Sequence, residues 1–64
     1  METFFIQTLW SDNRIHTEYE FEGTEGEAIK EAQGLCDSPL TETDSVRVLD
    51  LDGSLIFFSK ISNR

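Results

Sequence analysis

Apolar and polar residues repeat along this chain with two different periods, and each change of period marks a new element. From Arg14 to Phe21 (RIHTEYEF) the period is two. Ile15, Thr17, Tyr19 and Phe21 fall on the inward side, with Arg14, His16, Glu18, Glu20 and then Glu22 on the other. That alternation predicts a strand with one wet face, as in an antiparallel sheet. Before it, Phe4 to Trp10 (FFIQTLW) is rich in aromatic and β-branched residues and predicts another strand. Phe4, Ile6, Thr8 and Trp10 share one of its faces, and Phe5, Gln7 and Leu9 the other. Ser11-Asp12-Asn13 is a turn cluster, which makes the two strands a hairpin.

From Thr24 to Cys36 the period changes. Ala28, Ile29, Ala32, Leu35 and Cys36 recur at helical spacing and occupy about 120° of the circumference, the width of a core-facing stripe. Thr24 followed by Glu27 is a capping box, and Glu25 and Glu27 sit where the helix dipole favours negative charge. Asp37 to Asp44 (DSPLTETD) reads as a loop in which Pro39 discourages helix and Leu40 is the apolar anchor. Val46 to Leu51 and Ser54 to Ile61 form a second hairpin around Asp52-Gly53. Two registers fit that hairpin: a two-residue turn pairs Val48 with Phe57, and a three-residue loop with a glycine bulge pairs Val48 with Ile56.

The expected architecture is therefore α+β, in the order β-β-α-β-β: a four-stranded, mostly antiparallel sheet with one helix on one face. Its 64 residues form a single domain, 1–64, of modest stability. The register decides which of Leu55/Phe57 and Ile56/Phe58 meets the helix; one helix leaves the other face open, and some of Phe5, Leu9, Leu49, Ile56 and Phe58, or their alternates, are expected there as an apolar patch.

Charge changes the picture most. Thirteen Asp and Glu against five Lys and Arg give a net charge of −8, while 38% hydrophobic residues argue against disorder. Direct binding to nucleic acid or to an anionic membrane is disfavoured, because phosphates need cations on the protein. Attraction to a strongly basic partner is favoured. No apolar run is long enough to span a bilayer or to form a signal segment, which points to the cytoplasm.

Catalytic and ligand motifs are weak by comparison. Cys36 is the only cysteine and lies on the apolar stripe, where it reads as a small buried hydrophobe. His16-x-Glu18-x-Glu20 places three possible ligands on one strand face, but they diverge instead of converging on an ion. Asp50-Leu51-Asp52-Gly53 lacks the spacing of a calcium loop. No nucleophile has a base near it in sequence, and no glycine-rich phosphate loop occurs. The reading is a non-enzyme with neither metal nor cofactor. Trp10 is expected in the core, with an interface anchor as its alternative role.

The acidic residues form the one set with a pattern. Glu18, Glu20 and Glu22 line a strand face, Glu25, Glu27 and Glu31 continue onto the helix, and Asp50 and Asp52 cluster at the second turn. Glutamates at alternate strand positions are about 6.7 Å apart, too sparse alone to copy a duplex with a phosphate per about 3.4 Å on each strand. Imitation of a nucleic-acid backbone therefore needs a second acidic row, from the helix or the hairpin turn. In length, acidity and a lone helix on a small sheet, the whole chain resembles the small acidic inhibitors of phages and mobile elements, including anti-CRISPR proteins and other DNA mimics. The resemblance is one of character and brings no signature motif. It implies a partner that is a basic nucleic-acid-binding protein, met through Glu18, Glu20, Glu22, Glu25, Glu27, Glu31, Asp50 and Asp52. A second expectation is a small structural or regulatory protein that homodimerises through its uncovered sheet face.

Overall fold

The computed structural model describes residues 2–37 and 43–61. Pro39, Leu40 and most of the loop expected around them lie outside these, as do Ser62 to Arg64. Five elements follow in order: β1 (Glu2–Leu9), β2 (Ile15–Gly23), α1 (Glu25–Asp37), β3 (Ser45–Leu49) and β4 (Leu55–Lys60). The sheet order is β2-β1-β3-β4 with every neighbouring pair antiparallel, so the chain has the α+β layout its periods predict. β2 and β3 flank β1 and run parallel to each other, which makes α1 a crossover between them.

Cross-strand rows show which face each side chain takes. Tyr19, Ile6, Val48 and Phe57 form one row beneath the helix; Thr17, Thr8, Val46 and Ser59 form the next. Against them α1 buries Ala28, Ala32 and Cys36, spaced at four and eight residues. Alanines on the contact stripe let the helix lie close to the sheet, so the strands supply most of the core volume through Phe4, Ile6, Val46 and Val48. Cys36 is buried as expected, its Sγ 4.0 Å from the Ser59 carbonyl. The capping box closes in both directions: Thr24 N–H donates to Glu27 Oε1 at 2.9 Å, and Glu27 N–H donates to Thr24 Oγ1 at 3.2 Å.

Two bulges correct the sequence reading. In the first hairpin Thr8 pairs with Thr17 but Leu9 pairs with Ile15, so His16 is an inserted residue. The insertion slips the alternation by one, and Ile15 stands half exposed opposite Leu9 instead of facing the helix. Trp10 is only half-buried and lies edge-to-face on His16, with ring centroids 4.7 Å apart, outside the core cluster expected for it.

In the second hairpin each expected register holds over part of the length. The turn is the three-residue loop: Asp50 N–H donates to the Ser54 carbonyl, and Gly53 has a φ of 85° that favours glycine. Leu49 accordingly faces Leu55, yet one step on Val48 faces Phe57, because Ile56 is inserted as a second bulge. Ile56 and Phe57 both pack toward the core, and Leu55 and Phe58 are left exposed. Neither of the alternate pairs Leu55/Phe57 and Ile56/Phe58 meets the helix as a pair, because the bulge takes one residue from each.

Candidate acidic interaction surface

The face of the sheet away from α1 carries the rows Glu20–Phe5–Leu49–Leu55 and Glu18–Gln7–Arg47–Phe58. In the second of these the polar side chains form a chain of hydrogen bonds. Arg47 Nε donates to Gln7 Oε1 at 2.5 Å, and Gln7 Nε2 donates to Glu18 Oε2 at 2.6 Å. Gln7 is buried although it lies on the uncovered face, because its two neighbours use both ends of its amide. Glu18 is thereby held in place through the Gln7 amide, and it stays exposed on the face of the sheet.

Glu20 and Glu22 stand on the same face of β2, an edge strand, and make no hydrogen bond or ion pair among the described residues. On the helix side of that edge, Tyr19 O–H donates to Glu31 Oε2 at 2.9 Å. Burial first, and then this carboxylate, push the Tyr19 hydroxyl up to about 12. An unfolded tyrosine titrates near 10, so the fold favours the neutral phenol. Its stabilising contribution is complete below about pH 10 and is lost as pH rises toward 12. Tyr19 is the only tyrosine, so phenolate absorbance reads it directly. The midpoint is expected near 12 and should move only part of the way toward 10 in Glu31→Gln, because burial is the larger cause. An unmoved midpoint in that variant would disprove the bond.

A second group forms where the start of β1, the end of β2, the start of α1 and the β3–β4 turn come together. Glu2 pairs with Gly23 and Thr3 with Glu22, and Glu2, Thr3, Phe4, Asp50, Leu51 and Asp52 line one shallow hollow. The contributing segments 2–4, 21–27 and 50–54 carry six carboxylates (Glu2, Glu22, Glu25, Glu27, Asp50 and Asp52) and no lysine or arginine. Two of the six are tied into the backbone. Glu27 closes the capping box, and Asp50 Oδ1 accepts from Asp52 N–H and Ser54 N–H. These bonds hold the carboxylates in place without neutralising them. Glu25 and Asp52 have no side-chain partner among the described residues.

Described cations lie elsewhere. Arg14 sits in the β1–β2 turn and pairs with Asp12 at 2.6 Å; its backbone N–H first, and then its guanidinium, hold that carboxyl below its usual range. Arg47 is bound to Gln7, Lys60 ends β4, and Lys30 is on the outer side of α1. The eight expected contact residues thus fall into three places: Glu18, Glu20 and Glu22 along the β2 edge, Glu31 behind it, and Glu25, Glu27, Asp50 and Asp52 at the end of the sheet. Glu2 joins the last group and was not legible as a member. Its place depends on pairing with Gly23, 21 positions away in the chain.

Among the described residues no three or more His, Cys, Asp or Glu side chains are grouped to hold a metal ion. No helix of the described residues is long and apolar enough to cross a membrane. No family model, curated protein or solved structure matches this chain.

Proposed function

We propose that this chain is a non-enzymatic, acidic interaction module: a cytoplasmic inhibitor that occupies the basic nucleic-acid-binding surface of a partner protein. The observation that carries the reading is the separation of charge. Six carboxylates without a lysine or arginine gather at one end of the sheet, and Glu20 extends them along β2. The β2 row alone is too sparse to stand in for a phosphate backbone. Asp50 and Asp52 supply the second row it lacks, beyond β1 from β2. Clustered like charge steers a basic partner and disfavours acidic ones. The contact would be made by Glu20, Glu22, Glu25 and Asp52, with Glu18, Glu27, Glu31 and Asp50 held in position by their internal bonds.

The test reverses charges that bear no fold. A triple variant Glu20→Lys, Glu22→Lys, Asp52→Lys should keep its circular dichroism and melting temperature. The wild-type chain is used as bait in a bacterial lysate, and its retained partner is eluted with rising salt and with added duplex DNA. Release by both is expected, as is a partner affinity about tenfold weaker for the variant at physiological salt. Undiminished retention of that partner by the triple variant, or indifference to DNA, would sink the proposal.

A further inference from the structure

We infer, on the basis of that reading, that the open face of the sheet seats an amphipathic helix of the basic partner, with the helix N-terminus at the β3–β4 turn. Phe5 and Leu49 lie half-buried side by side in one row, and Leu55 continues it at 58% exposure. Phe58 follows in the next row at 48% exposure. The helix α1 packs on the opposite face, and among the described residues no element covers this apolar strip. β1 and β3 are central strands, so their backbone groups are paired within the sheet and the face offers side chains only. That suits a helix, whose own backbone is internally paired, and not a strand, which needs an edge.

Charge sets the chemistry of the occupant and its direction. Glu18, Glu20 and Glu22 rim the strip along β2, so lysines or arginines on that flank of the incoming helix meet a row of carboxylates. Asp50 and Asp52 stand at the turn end of the strip. Arg47 and Lys60 lie toward the other end of the same face, in the rows of Gln7 and Ser45. The partial positive charge of a helix N-terminus therefore belongs beside Asp50 and Asp52, and the partial negative charge of its C-terminus beside Lys60. From the row of Glu22 to the row of Lys60 is about 20 Å at roughly 6.7 Å per row, which a helix of about 13 residues spans. A second copy of the chain fits worse, because its net charge of −8 opposes the glutamate rim.

Fluorescence anisotropy with two labelled leucine–lysine peptides of about 13 residues and identical composition tests this on the intact chain. In one the leucines recur at helical spacing with lysines beside them; in the other the order is shuffled so that no stripe forms. The striped peptide is expected to bind about tenfold more tightly, and Leu55→Ser and Phe58→Ser should each weaken it about tenfold. Both side chains are exposed, so these variants should keep their circular dichroism, and neither adds a charge. A spin label on the peptide N-terminus should broaden the amide resonances of Leu51 to Leu55 and spare Lys60. Equal affinity for the two peptides, or indifference to both serine variants, would overturn the inference while leaving charge-driven inhibition standing. Broadening at Lys60 instead would overturn the direction. A wild-type chain that sediments as a dimer and excludes the striped peptide would assign the face to a second copy and overturn the inference as well. The reading of a basic nucleic-acid-binding partner fails separately, through a lysate partner indifferent to DNA.

Discussion

Ile6→Ala is expected to destabilise this domain by about 3 kcal/mol, enough to leave it partly unfolded near body temperature. Ile6 is fully buried, lies between Tyr19 and Val48 in its row, and belongs to the cluster that α1 covers through Ala28 and Ala32. The facing helical residues are alanines with no longer side chain to fold into the space, so the cavity stays open and adds to the lost transfer energy. The whole domain is worth only roughly 3–10 kcal/mol at the usual 0.05–0.15 kcal/mol per residue. A melting temperature lower by about 10–20 °C should follow. Urea titration followed by far-ultraviolet circular dichroism measures it. Phe58→Ala provides the control: its side chain is half exposed on the open face, and its loss should cost well under half as much. Equal losses at Ile6 and Phe58 would mean that the open face is packed as tightly as the covered one.

Gly23→Ala should cost about 2–3 kcal/mol although it adds a single carbon. Gly23 ends β2 with a φ of 157°, just inside the range that L residues rarely adopt, and strain of this kind costs about 1–3 kcal/mol. A Cβ there would stand 2.7 Å from Glu27 Oε1 and 3.1 Å from the Phe21 ring. Glu27 is a flexible side chain and can swing away, but it is also half of the capping box. Its departure frees the Thr24 N–H and forfeits about 1 kcal/mol of helix stability. Glu27→Ala separates the two effects, since it removes the carboxylate and leaves the backbone alone. Denaturant titration should give Gly23→Ala the larger loss, and the double variant should cost less than the sum of the singles. Strict additivity would show that Gly23 and Glu27 act independently.

The surface is legible in part for the same reasons that the core is. Alternation places Glu18, Glu20 and Glu22 on one face of β2, because neighbouring strand residues must point to opposite sides. It cannot show that Glu18 is taken up by Gln7 and Arg47, since Arg47 stands 40 positions from Gln7 and reaches it only through the β1–β3 pairing. Glu2 is hidden in the same way. Read along the chain, the helix carboxylates continue the strand row, yet α1 lies on the opposite face of the sheet. Glu31 consequently meets Tyr19 from behind the β2 edge.

By itself the sequence determined the element order, the buried stripe of α1, the helix start at Thr24 and the sharing of one β1 face by Phe4, Ile6 and Thr8. All of these follow from side-chain periods and capping rules that act within a few residues. Tertiary structure alone decided that β1 and β3 lie at the centre, that His16 and Ile56 bulge, and that the acids gather at one end of the sheet. Strand order and register are settled by side chains far apart in sequence competing for one core. At the second hairpin the turn favours one register and the packing of Phe57 on Val48 favours the other, and the chain satisfies both by inserting Ile56 between them.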